Sequence, residues 1–190
     1  MHLDPSSTLW IIWYAYWVVS ARNRIRDTGD SAAKREPLIG RLGYMVLMIA
    51  GFALLIWHVP RFGLDRPLWL WHESYWLGLA IEATGMMVAI WARHTLGKNW
   101  TGRITTGGTQ ELVIRGPYRY VRHPIYSGLL FAVLGTAIVV AKPRAFLGFV
   151  LILAGVLIKL RREEAALREH FGRVYAEYAL QVAGLVPGLV

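Results

Sequence analysis

The chain has no cysteine. Disulfides, thiolate metal sites and cysteine nucleophiles are excluded together. Charge is scarce: 17% of the 190 residues are Asp, Glu, Lys or Arg, against about 25% in soluble domains. Acidic residues are scarcest, 12 against 21 Lys and Arg, for a formal net charge of +9. Histidines are few, and His58 and His94 stand alone, so no metal site is expected. There is no internal repeat and no low-complexity tract. Disorder is excluded as well, because 55% of the residues are apolar.

What is abundant is apolar and aromatic, including nine Trp. Five apolar stretches cover residues 9–21, 42–59, 68–92, 125–141 and 145–160. The third is interrupted by His72, Glu73 and Glu82. A spanning helix needs about 20 residues, so the shorter stretches require interfacial aromatics or snorkelling Arg and Lys at their ends. The first stretch lacks the basic start and small-residue cleavage site of a signal peptide. The expected fold is all-α: one polytopic membrane domain over 1–190, with about five transmembrane helices and a cytosolic C-terminal cap.

The basic residues sort by connection. Loop 22–41, stretch 93–124 and the tail from Lys159 hold 17 of them, and the other two connections hold 4. The positive-inside rule then places the N-terminus outside and the C-terminus in the cytoplasm, in an inner or plasma membrane. The positive charge is thereby read as topology, with the lipid bilayer as partner and no nucleic acid.

Stretch 93–124 is too long for a plain connection and carries Trp100, Tyr118 and Tyr120. From Leu160 onward a helical period groups Leu167, Phe171, Val174, Tyr175 and Tyr178 on one side. This predicts an amphipathic helix continuing from the last span through residue 180. Glu163 and Glu164 fall inside its apolar sector, where a carboxylate is costly unless paired. Either they reach sideways to Arg161 or Arg168, or they face a polar ligand held against 93–124.

Residues 110–128 pack donors, aromatics and turn formers together. Gly116-Pro117 marks a turn and Pro124 suits the first position of a helix. Arg122 and His123 sit just before that helix, whose N-terminus favours an anion. Tyr118 and Tyr126 are suited to stack on a ring or face a cation. An interfacial belt before a transmembrane helix has a similar composition.

The ordered set Gly116-Pro-Tyr-x-x-x-Arg122-His123-Pro124-x-Tyr126-x-Gly128, then Glu163-Glu164-x-x-Leu167, then Phe171-Gly172-x-x-Tyr175-x-x-Tyr178 resembles the isoprenylcysteine carboxyl methyltransferase family, within a superfamily that includes phospholipid methyltransferases. Leu96-Gly97-x-Asn99-Trp100 also fits, and the likeness covers roughly residues 90–187. It implies an integral membrane methyltransferase using S-adenosylmethionine on a lipophilic or small acceptor, without the glycine-rich loop of soluble methyltransferases. It further implies a cofactor pocket formed by Gln110, Leu112, Val113, Gly116, Tyr118, Arg122, His123, Pro124, Tyr126, Gly128, Glu163 and Glu164. Within that pocket Arg122, His123 and the helix N-terminus suit the amino-acid carboxylate. Glu163 and Glu164 suit the ribose or amino group.

Two positions depart from the family pattern. Gln110 stands where relatives often have His, and Gln181-Val182-Ala183 replaces the Arg-Val-Pro of the eukaryotic carboxyl methyltransferases. The acceptor side is therefore open between carboxylate, amine and thiol. Arg93, Asn99, Trp100 and Glu82 are its candidate groups. Glu82 lies deep in the third stretch, where an ionisable residue faces a cavity or a partner. The competing readings are an NADPH-dependent membrane reductase of the sterol-reductase type and a non-enzymatic membrane scaffold.

Overall fold

A computed structural model describes residues 4–22, 34–35, 38–69, 72–97, 105–106 and 111–187. These residues form six α-helices: α1 (Pro5–Arg22), α2 (Leu38–Ile56), α3 (His72–Leu96), α4 (Pro124–Val140), α5 (Pro143–Phe171) and α6 (Arg173–Gln181). Each of the five apolar stretches is helical, with shifted ends. α2 stops at Ile56, short of the expected 59, ahead of Pro60, which restricts the residue before it. α3 runs on to Leu96, and Gly97 follows it with φ +54. Prolines open α4 and α5, where a missing N–H costs nothing.

The tail is not one helix. α5 does continue past the apolar run, but Gly172 takes φ +56 and the chain restarts as α6. That left-handed backbone is open to glycine without penalty and ends the α5 hydrogen-bond ladder. The single helical period drawn from Leu160 therefore fails beyond Phe171.

The helices pack through glycine. A Cβ on Gly135 of α4 would lie 2.3 Å from the Glu82 nitrogen of α3, and one on Gly85 would lie 2.4 Å from the Ala132 nitrogen. α2 and α5 meet likewise, with Gly51 and Gly148 set against each other. Where lipid removes the hydrophobic drive between helices, small residues let backbones approach and recover dispersion contact. Val133, Ile152 and Val156 are fully buried at the centre, with Trp10, Trp13 and Phe52 around them. Ile11, Val46, Ile49, Met87, Phe131 and Val150 are each more than half exposed. This outer apolar belt, and the length and composition of α3 and α5, which suffice to cross a membrane, mark an integral membrane protein.

At one end, Arg144 ties the turn before α5 to the α2–α3 connection. Its Nε donates to Asp65 Oδ1 at 2.8 Å and its Nη1 donates to the carbonyls of Leu54 and Leu55. At the other end β1 (Lys34–Arg35) and β2 (Thr105–Thr106) pair antiparallel, and β2 packs against α5. Lys34–Arg35 and Thr105–Thr106 thus pair beside α5, a contribution that periodicity did not reveal.

Candidate active site

The site is built at the start of α4. Gly116 opens a 3-10 turn over Gly116–Arg119 with φ +60, and a Cβ there would meet Thr95 at 3.0 Å. The turn buries Pro117 and Tyr118 and delivers Arg122 and His123 to the helix start. From α5, Glu164 reaches the same point. Its Oε1 accepts from Arg122 Nε at 2.8 Å, His123 Nε2 at 2.7 Å and the Tyr175 hydroxyl at 2.8 Å. Glu163 Oε2 accepts from the Tyr126 hydroxyl at 2.6 Å. The Tyr126 ring stacks on His123 at 5.9 Å between centroids, and Lys159 Nζ lies over the Tyr126 ring, 5.2 Å from its centroid.

The C-terminal tail is strapped across this start. Arg122 N and His123 N donate to the carbonyls of Ala183 and Gly184 at 2.8 and 3.0 Å. Ser127 Oγ donates to Leu185 O at 2.6 Å, and Arg122 Nη1 donates to the carbonyls of Ala179 and Val182. Tyr178 caps the assembly by donating to Tyr118 O at 2.5 Å.

Electrostatics follow from these contacts. Burial by itself raises the Glu164 carboxyl, yet hydrogen bonds from His123, Arg122 and Tyr175 outweigh it and bring the pKa to about 2. Burial and the Glu164 charge push Tyr175 well above the ordinary phenol value. Burial raises Tyr178 to about 12 against the opposing charge of Arg122. At neutral pH the site therefore holds an ionised carboxylate among neutral phenols.

This geometry corrects one expectation. Arg122 and His123 are not an open anion site, because Glu164 and the tail carbonyls already fill it. A buried guanidinium needs a partner, and the nearest carboxylate on α5 supplies it. Glu164 Oε2 faces Arg168 at 3.7 Å, and Arg168 is 58% exposed, so that pair is the weak one.

The remaining expected residues separate. Pro124 is buried as the first residue of α4, and Leu112 and Val113 are half-buried ahead of the turn. Gly128 belongs to a helix contact: a Cβ there would lie 2.5 Å from Gly85 O. Gln110, Asn99 and Trp100 lie outside the described residues. Arg93 is buried at the end of α3, donating to Gly97 O and Ser20 O, both at 3.1 Å. Glu82 is fully buried and its Oε2 accepts from Ser6 Oγ at 2.8 Å. It stands 11 residues before Arg93, about 16 Å along the helix at 1.5 Å per residue, and so is apart from the Glu164 cluster. Sequence reasoning missed the hydroxyl role of Tyr175, although that residue was in the motif. It also missed the strap, whose backbone carbonyls leave no side-chain signal.

Comparison with known proteins defines the class. The sequence profile described as phospholipid methyltransferase matches residues 74–174, more than half of the chain, and the chain belongs to that family. Among curated relatives it is 36% identical over 120 residues to a probable protein-S-isoprenylcysteine O-methyltransferase of Oryza sativa subsp. japonica, covering 62% of each chain. It is 31% identical over 121 residues to protein-S-isoprenylcysteine O-methyltransferase B of Arabidopsis thaliana, covering 60% of this chain and 61% of that one. The match thus spans about 62% of such relatives' length. A solved structure of the eukaryotic intramembrane Ras methyltransferase, isoprenylcysteine carboxyl methyltransferase, superposes with a TM-score of 0.65 at 21% identity, covering all of this chain and 70% of that one. The fold is therefore that of an intramembrane methyltransferase.

Proposed function

We propose that the protein is an S-adenosylmethionine-dependent methyltransferase acting on a lipophilic or small acceptor, with five transmembrane helices, the N-terminus outside and the C-terminal cap in the cytoplasm. The observation that supports it most is the Glu163–Glu164 pair held beside Tyr118, Tyr126 and Tyr175 at the start of α4. The similarity to isoprenylcysteine methyltransferases points the same way, and nothing comparable favours the reductase.

The donor set fits the cofactor in part. S-adenosylmethionine, when bound, supplies a methyl group activated on a sulfonium. Glu164 Oε2 and Glu163 are suited to accept from ribose hydroxyls or an amino group. The Tyr126 ring already has His123 stacked on it and Lys159 over it, which leaves Tyr118 as the aromatic suited to a cation or a planar ring. Arg122 and His123 act behind them, as positioning residues that fix the Glu164 rotamer. Displacement at a methyl group gains mainly from alignment, so a site anchored by buried hydrogen bonds serves the chemistry. A carboxylate acceptor is ionised at pH 7 and needs no base, whereas an amine or thiol must lose a proton. Arg93 at the end of α3 remains an acceptor-side candidate, as do Asn99 and Trp100 on sequence grounds alone, and Glu82 lies too far along α3 to touch the same ligand atoms as Glu164.

The test is transfer of a labelled methyl group from S-adenosylmethionine to three acceptors in detergent: a farnesylated cysteine, phosphatidylethanolamine and a small alkyl thiol. Label in one product sustains the reading and names the acceptor class. Label in none of these three, from folded protein that also fails to bind the cofactor product, contradicts it.

A further inference from the structure

We infer that the strap and the turn beside it form a docking surface for anionic phospholipid headgroups; this rests on the five-span reading above. The argument begins with depth. α4 has 17 residues, about 25 Å at 1.5 Å per residue, which falls short of the hydrocarbon thickness of about 30 Å. Its N-terminus must then stand at the hydrocarbon boundary. Everything hydrogen-bonded to that N-terminus shares its level, and this includes Ala183, Gly184 and Leu185. The strap is therefore in the headgroup layer and not in bulk water.

The outward side chains at this level match that layer. Tyr120 is 62% exposed, Leu180 82% and Val186 52%, next to the buried Val121–Ala183 bridge. Arg115 and Arg119 are exposed alongside. Apolar and aromatic groups interleaved with Arg are what an anionic interface selects. Two turns further along α4, Phe131 is 51% exposed. Because Arg122 binds the carbonyls of Ala179 and Val182 on this same strap, lipid contact and the Glu164 site share one segment.

The absence of native cysteine makes the test direct. Single-cysteine variants Tyr120→Cys and Val186→Cys are spin-labelled in nanodiscs of phosphatidylcholine with or without phosphatidylglycerol. Phe131→Cys serves as the lipid reference, and Arg173→Cys, whose native side chain is 91% exposed, as the water reference. The expected result is an oxygen-to-nickel-chelate accessibility ratio for both labels several-fold above that of Arg173→Cys, rising with phosphatidylglycerol. Arg115→Glu with Arg119→Glu should remove that rise. Labels as water-exposed as Arg173→Cys in both lipids overturn the inference, as does spin–spin broadening showing that copies pair through this face. Failure of the five-span reading is distinguishable, since Phe131→Cys itself would then report water.

Discussion

Glu164 is the residue on which the site turns. It accepts three hydrogen bonds at a single oxygen, and two come from groups that would otherwise be stranded in a buried place. Glu164→Leu should cost about 3–5 kcal/mol, the range for removing one partner of a buried ion pair, read as a fall in the detergent melting temperature. The pH dependence has a definite sign. Burial opposes ionisation, but the three donors hold the folded pKa at about 2, below the ordinary carboxylate value. The stabilisation is complete above the unfolded pKa and fades as pH falls through that value toward 2. Wild-type protein should lose melting temperature between roughly pH 5 and 3 by an increment that Glu164→Gln lacks; equal slopes would show that Glu164 is not so held. The motif spelling Arg122-His123-Pro124 and Glu163-Glu164 was legible in the sequence, but the pairing was not. Nothing in spacing says that the anion meeting Arg122 is the chain's own, because the two residues are brought together only by α4 packing on α5.

At the scale of elements, the glycine contacts carry the fold. Gly135→Ala would set a methyl group 2.3 Å from the Glu82 nitrogen and 2.6 Å from Gly78 O, with backbone on both sides and no flexible tip to yield. α3 and α4 must then separate, at a cost of about 1–3 kcal/mol or more. Gly43→Ala, with nothing within 4 Å, is the matched control and should melt near wild type. A similar loss in both would remove close packing as the cause. Helices were legible because apolar runs of this length have few alternatives. Their ends were set by local chemistry instead: prolines at 124 and 143, and glycines at 97 and 172. The break at Gly172 escaped the periodicity because α5 and α6 each keep an apolar face while changing direction between them. The β1–β2 pairing escaped too, since two residues per strand leave no pattern to read.

At the scale of the whole molecule, the proposed orientation rests on where the basic residues lie in the sequence. The Glu164 cluster, the α6 cap and the strap gather at the end of the bundle where most of the described Lys and Arg lie, while the Asp65–Arg144 clamp closes the other. A membrane-impermeant thiol reagent on intact cells should label Phe62→Cys, at the Asp65 end, where the native side chain is 93% exposed. It should spare Arg173→Cys until the membrane is opened. The reverse pattern would invert the topology. The central claim is tested most directly by calorimetric titration of the detergent-purified protein with S-adenosylhomocysteine, with NADPH as control. Saturable binding of S-adenosylhomocysteine alone, lost in Glu163→Ala, is the predicted result. Binding of NADPH, or of neither by protein shown to be folded, would contradict it.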